Sequence, residues 1–428
     1  MTYNDTIQYL YDRLPVFHHI GSAAYKPGLD NTIRLMNALN NPHTQYKTIH
    51  IAGTNGKGST SAMLAGILKS AGFTTGLYTS PFISSFNERM VINGQPITGG
   101  ELAEITTFCA PLALSMEDGP TEFELVTAIA MEFFLRRNCD VVVLETGMGG
   151  RLDSTNVIEH PLCSVITNIG LDHTRELGDT VEKIAAEKAG IIKQNCPTVV
   201  YELPENIFKV ISERCREMSS ALSFADFGAI KVSSDTREGQ VFSYKGFEGL
   251  ELHLLGSHQL KNAAVALETV EVLRSQGLTI PLDAVKSGLS ETFWPARFEI
   301  LSEKPFFVVD GGHNPQCAET VAENLFKYFP DMKRIILFGV LSDKDYMGQA
   351  KILNPAADAF VTIAPKSRRA LPPRELAEAL RVFGKPVTAC DSIENGIIKA
   401  IELAGEDGVV CSVGSLYTAG TVRAFFGK

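Results

Sequence analysis

The stretch Thr48-Ile-His-Ile-Ala-Gly-Thr-Asn-Gly-Lys-Gly-Ser-Thr60 constrains this chain more than any other. A short β-branched run, Thr48 to Ile51, stops at Gly53, and the helix-compatible run Ser59 to Ala71 opens straight after it. Strand, glycine-rich turn and helix together aim backbone N–H groups and a helix N-terminus at a phosphate. Lys57 adds a positive charge there. The stretch departs from the common G-x-x-x-x-G-K-S/T pattern: Ile51 stands six places before Lys57, and Gly58 follows it. Hydroxyls come only at Ser59 and Thr60. A metal ion on the phosphates therefore needs ligands from elsewhere in the chain.

At 428 residues the chain exceeds one ordinary core, which predicts two or more domains. Apolar residues at 45% and charged residues at 21% fit a soluble globular protein. A formal charge of −10 argues against nonspecific nucleic-acid binding, while leaving room for a local basic pocket for a small anion. Met1 to Asp5 lack a basic segment followed by an apolar core, so no signal peptide is expected. No run approaches about 18 apolar residues, so no membrane span is expected. A cytoplasmic protein is the expectation. The eight cysteines are scattered with no C-x-x-C pair, which predicts buried reduced thiols rather than a zinc or redox motif.

Apolar spacing predicts helices over 5–20 and Leu29–Leu39, the second capped by Asp30 or Asn31. Thr75–Thr79 reads as a strand that exits at Ser80-Pro81. The polar, turn-rich segment Pro81–Ile97 suggests a mobile loop near the phosphate site. Thr121–Arg137 is a long helix pattern, and Asp140–Glu145 an apolar run ending in a carboxylate. Ser164–Ile169 repeats that design and exits into Gly170-Leu-Asp-His-Thr174. A helix over Thr180–Ile192 and a strand over Thr198–Tyr201 follow. The alternation argues for a doubly wound, mostly parallel α/β sheet. A small antiparallel addition is expected over 225–255, then a helix over His258–Arg274. A second, smaller Rossmann-like α/β unit starts after Pro295, with strands at Phe306–Asp310, Arg334–Phe338, Ala359–Ile363 and Gly408–Val413. The division is placed at 1–296 and 297–428.

Strand-end positions in such a sheet collect ligands. They supply Lys57 and Ser59, then Ser80, Glu145 and His173: a phosphate cradle, a hydroxyl, a carboxylate and an imidazole. Oxygen ligands completed by water and phosphate suit magnesium, although an imidazole is less usual for it and would tolerate manganese too. Lys188, beside small residues at a helix end, reads from its neighbours as a solvated lysine favoured by the helix dipole. In the second unit, Asp310-Gly-Gly-His-Asn-Pro315 stands at a strand end, where Asp310 is placed for a ribose and His313 for a base or phosphate. Arg297, at the linker, is placed either to neutralise a nucleotide phosphate or to make an interdomain salt bridge.

Gly53-Thr-Asn-Gly-Lys-Gly-Ser59, Thr79-Ser-Pro81, Glu145 to Asp153, Leu171 to Thr174, Glu187 to Ile191, Gly256 to Asn262, Asp310 to Pro315 and Gly414 to Tyr417 together resemble folylpolyglutamate synthase. That family includes the bifunctional dihydrofolate synthase and is similar to the muramyl amino-acid ligases. The resemblance implies an ATP-dependent ligase that joins L-glutamate to a folate, or to dihydropteroate, through an acyl phosphate. It implies that Gly53, Thr54, Asn55, Gly56, Lys57, Gly58, Ser59 and Thr60 cradle ATP, with Asn262, Arg297, Asp310 and His313 on the nucleotide side. It assigns Ser80, Glu145 and His173 to magnesium, with two metal ions expected, and makes Lys188 a carbamate, reversing its reading as a solvated cation. Lys57, His173 and Lys188 are the implied catalytic residues. Phe123 falls where the family contacts the pterin, although its residue type equally suits a core aromatic. A monomer is expected. Pro295-Ala-Arg297 departs from the family's usual proline-glycine-arginine, and Ala296 is expected to restrict the linker only modestly. Another muramyl-type ligase and a non-catalytic nucleotide-binding module are the competing readings.

Overall fold

The computed structural model describes residues 1–16, 21 and 26–428. The expected first helix runs Tyr3–Asp12, and its predicted continuation over 17–20 lies outside the described residues. The second helix forms over Asp30–Ala38, but its N-cap is Leu29 with no side-chain cap, so neither Asp30 nor Asn31 takes that role.

Eight strands build the first sheet: β1 (Lys47–Ala52), β2 (Thr75–Tyr78), β3 (Met90–Ile92), β4 (Gln95–Pro96), β5 (Val141–Glu145), β6 (Cys163–Ile166), β7 (Thr198–Val200) and β8 (Leu222–Phe224). Their order is β4-β3-β2-β5-β1-β6-β7-β8. Neighbours from β2 to β8 pair in parallel, and only the β2–β3–β4 edge is antiparallel. Every residue of β5 is buried, as expected of a β-branched run covered on both faces. One core packs the helix Lys57–Ser70 against β1, β5 and the helix Ser257–Ser275. The other face is filled by Glu122–Arg136, whose N-terminus carries a capping box between Thr121 and Glu124.

The expected antiparallel addition is β9 (Ile230–Thr236), β10 (Gly239–Tyr244) and β11 (Phe247–Leu252). The second sheet contains β12 (Glu299–Glu303), β13 (Phe306–Val309), β14 (Arg334–Phe338), β15 (Ala359–Thr362), β16 (Val387–Ala389) and β17 (Val409–Val413), in the order β12-β13-β17-β14-β15-β16. Sequence patterning missed β12 and β16, short edge strands with little burial to leave an apolar signature.

Two expectations change. The segment Pro81–Ile97 is built rather than loose: a 3-10 turn over Phe86–Arg89 leads into the β3–β4 hairpin, turned at Asn93-Gly94. The Glu88 carboxylate accepts from the N–H groups of Ile83, Ser84 and Ser85. Arg89 is fully buried and bonded to the Glu122 carboxylate, with its guanidinium over the rings of Phe86 and Phe123. In the linker, Ala296 has φ +54°, a left-handed conformation unfavourable for any residue with a Cβ, so its restriction is larger than expected.

Candidate active site

The ends of β1, β5 and β6 form the floor. Register pairs Ile51 with Glu145 and Ala52 with Ile166, so Gly53, Glu145 and Thr167 leave their strands side by side at the carboxyl edge. The helix Lys57–Ser70 starts here with Gly56 as its N-cap, which turns its free N–H groups toward the cleft. Gly58 is dictated by space. A Cβ at this position would lie 2.8 Å from Nε1 of Trp294, so the indole fills the volume a serine or threonine would need. That contact explains the departure from the common phosphate-loop pattern.

Lys57 Nζ donates to the carbonyls of Gly53 (3.1 Å) and Thr54 (3.3 Å), and lies 3.8 Å from Glu145 Oε1. Burial pushes the Glu145 carboxyl up to about 7, although Lys57, Arg297 and the backbone N–H of Ser80 all pull it down. A buried carboxylate this short of compensation suits a divalent cation. Among the described residues no three His, Cys, Asp or Glu side chains cluster to hold a metal by themselves. The Ser80 hydroxyl, Glu145 and His173 would therefore hold one jointly with phosphate and water oxygens, the mixture that magnesium prefers. The donor chemistry fits.

Lys188 is not solvated. It is 3% exposed, and its Nζ donates to the Gly53 carbonyl at 2.8 Å. Burial, then the nearby Lys57 charge, push its ammonium down to about 7. An unprotonated amine is therefore abundant at neutral pH, and that is the form that adds carbon dioxide.

The opposite wall comes from the second sheet. Lys344 Nζ donates to Asp172 Oδ1 at 2.5 Å, and His313 Nε2 lies 3.5 Å from Asp172 Oδ2. Burial opposes the Asp172 charge, but His313, His173 and Lys344 hold its carboxyl far below the usual range. His173 is driven down to about 3 by burial, with Lys344, His313 and Lys57 adding to it and Asp172 opposing, which leaves its imidazole neutral. Asn55 ties the glycine-rich turn to the same wall: its Nδ2 donates to Gln316 Oε1 (2.9 Å) and its Oδ1 accepts from Asn314 Nδ2 (3.0 Å). Asp310 spends both oxygens on backbone, accepting from Phe298 N–H (2.9 Å) and Gly312 N–H (2.7 Å), so it anchors the linker before it meets any ribose.

One cleft of about 530 Å³ is lined by Gly53 to Ser59, Ser80, Phe123, Glu145, His173, Lys188, Asn262, Arg297, Asp310 and His313. Thr60 is the exception: it is wholly buried one turn into the helix and does not line the cleft. Phe123 packs beside Gly147, where a Cβ would lie 2.4 Å from its ring, and its centroid is 6.2 Å from that of Tyr78. Asp172, Lys344, Asp153, Gln316 and Arg369 also line the cleft and were missed by sequence reasoning. Asp172 lay inside the Leu171–Thr174 block. Lys344 follows the end of β14, so the strand-end rule applied to the second sheet would have found it.

Residues 51–270 match the Mur ligase middle domain, and residues 296–416 the Mur ligase glutamate ligase domain. The chain is 37% identical to a dihydrofolate synthase/folylpolyglutamate synthase of Bacillus subtilis, over 93% of this chain and 94% of that protein. The chain belongs to the folylpolyglutamate synthase family of the Mur ligases. A folylpolyglutamate synthase of Lacticaseibacillus casei is 36% identical over 99% of this chain and 98% of that one. The solved structure of Mycobacterium tuberculosis folylpolyglutamate synthase complexed with ADP aligns with a TM-score of 0.91 at 30% identity, covering 100% of this chain and 98% of that one. This member of the folylpolyglutamate synthase family thus shares its two-sheet α/β fold with a relative that binds a nucleotide. No helix among its described residues is long and apolar enough to cross a membrane.

Proposed function

We propose that the chain is an ATP-dependent ligase that adds L-glutamate to folates through an acyl phosphate. The observation that carries this reading is the convergence of Lys57 and Lys188 on the Gly53 carbonyl beside the under-compensated Glu145. A nucleotide-binding module without chemistry has no need of two lysines, one of them buried, converging beside a buried carboxylate.

In this reading the N–H groups at the start of the helix, from Gly56 to Ser59, receive the ATP phosphates, and Lys57 neutralises charge on the group being transferred. Ser80, Glu145 and His173 would hold magnesium, and Lys188, as a carbamate, would hold a second ion. Bound magnesium would polarise the phosphoryl oxygens and stabilise their charge. The folate carboxylate attacks the terminal phosphorus and ADP leaves, giving the acyl phosphate. The glutamate amine then attacks the acyl carbon, gives up its proton, and the tetrahedral intermediate expels phosphate. Phe123 stacks on the pterin, with Asn262, Arg297, Asp310 and His313 on the nucleotide side. The contacts of Asp172 with Lys344 and of Asn55 with Asn314 and Gln316 hold the two walls together, which protects an acyl phosphate from water. Residues 1–296 and 297–428 act as two domains of a cytoplasmic monomer. Dihydropteroate presents a carboxylate placed differently relative to the pterin, and its ligation would yield dihydrofolate.

The purified protein should release ADP only when a folate, or dihydropteroate, and glutamate are both present. ADP release that ignores either substrate would sink the proposal. Turnover on uridine-nucleotide peptides would move the chain to a muramyl ligase instead.

A further inference from the structure

The linker between the two sheets is held in a conformation its residues disfavour. Ala296 (φ +54°) and Phe298 (φ +50°) are both left-handed and bracket Arg297, and both are buried. Something must hold this shape, because neither residue is glycine. Two carboxylates do. Asp310 accepts from Phe298 N–H at 2.9 Å, and Glu299 Oε2 accepts from Ala296 N–H at 2.9 Å.

Glu299 is in turn fixed by Arg423, on the C-terminal helix Leu416–Phe425, whose Nε donates to Oε2 at 3.0 Å and Oε1 at 3.3 Å. Both side chains are about nine-tenths buried. Arg423 also reaches forward: its Nη1 donates to Ser84 Oγ at 3.3 Å, four residues past Ser80. The same helix touches this loop by backbone, since a Cβ on Gly420 would lie 2.1 Å from the Ile83 carbonyl oxygen. One buried ion pair thus connects the turn that carries Arg297 to the loop that carries Ser80.

We propose that Glu299 and Arg423 are positioning residues for nucleotide binding: they lock the left-handed linker so that Arg297 is presented to the cleft, in register with the Ser80 loop. The inference rests on the proposed role of Arg297 toward ATP. Neither residue lines the cleft, so they act through Arg297 and Ser80 rather than on substrate. The lock also accounts for alanine at 296, because a carboxylate cap on its N–H supplies the restraint that permits a residue other than glycine.

The test measures ATP-analogue binding by calorimetry, the KM for ATP and for glutamate, and the melting temperature. Losing a charge-assisted contact to phosphate weakens binding by roughly tenfold to a hundredfold. Glu299→Ala is expected to weaken ATP binding at least tenfold while the KM for glutamate stays within about twofold. Adding Ala296→Gly should recover most of that loss, since glycine adopts the left-handed turn without a cap. Glu299→Gln, which keeps an acceptor for Ala296 N–H, should lose less, and it stands in if Glu299→Ala does not fold. A lowered melting temperature with unchanged ATP binding, or a loss that Ala296→Gly does not repair, overturns the inference. Arg297→Ala is the control: if it leaves ATP binding intact, the role of Arg297 fails; if it weakens binding and Glu299→Ala does not, the positioning inference alone fails.

Discussion

Lys57 Nζ lies 3.8 Å from Glu145 Oε1, and the carboxylate is 6% exposed and not fully compensated by that lysine. Folding raises the Glu145 pKa from its ordinary value of 4.5 to about 7. The ligand-free protein is therefore favoured by protonation of Glu145 below pH 4.5 and loses that contribution as pH rises through 7, on the order of 3 kcal/mol by pH 8. Glu145→Gln should raise the melting temperature of the ligand-free protein at pH 8 by a few degrees. The same variant should abolish turnover, a trade of stability against function visible in one thermal scan and one ADP assay.

The Asp172–Lys344 ion pair joins the two halves across the cleft, with both side chains largely buried. Asp172→Asn and Lys344→Met should each lower kcat about tenfold or more, because breaking a buried pair leaves its partner uncompensated. The double variant should fall by much less than the sum, and a double-mutant cycle on kcat/KM should return a coupling above about 1 kcal/mol. Strict additivity would show that the pair does not act as a unit.

Lys188 should gain the mass of one carbon dioxide in bicarbonate and lose it after exchange into carbon-dioxide-free buffer. Activity should follow the mass. Its depressed pKa of about 7 makes the reaction favourable at neutral pH, where an ordinary lysine is almost entirely protonated. Turnover that persists undiminished without carbon dioxide would remove the carbamate from the mechanism.

His50 tests the fold rather than the site. It is fully buried in β1, with Nε2 at 2.8 Å from Thr155 Oγ1, and burial pushes its pKa down to about 3. The folded state refuses a proton that the unfolded chain accepts at 6.5, so stability is complete above that pH and is lost progressively between 6.5 and 3. At pH 5 the loss from this one residue is about 2 kcal/mol. Denaturant titrations should show His50→Gln losing less stability than the parent between pH 7 and pH 5, by that amount.

The strands were legible because their residues report their own burial. The run Val141 to Leu144 is apolar at every position, which only a strand covered on both faces requires. Glu145 stood out as the charge ending that run, and Lys57 as the cation at a helix start. Lys188 was illegible for the opposite reason: its immediate neighbours describe an ordinary helix end. The carbonyl that its buried ammonium meets belongs to Gly53, far away in sequence. Pro81–Ile97 misled in the same way, because the carboxylate that buries Arg89 belongs to Glu122 on another helix.

By itself the sequence determined the buried strands and long helices and, in the first sheet, which strand ends carry chemistry, since hydrophobic period and glycine turns act over a few residues. Through a series of local motifs it also determined the family. Tertiary structure alone decided the charge states and the closure of the cleft. Desolvation moves Glu145 and Lys188 from opposite directions to about 7, and no local pattern encodes the depth at which a side chain will sit. The Asp172–Lys344 pair likewise exists only because two separate sheets place their carboxyl ends face to face.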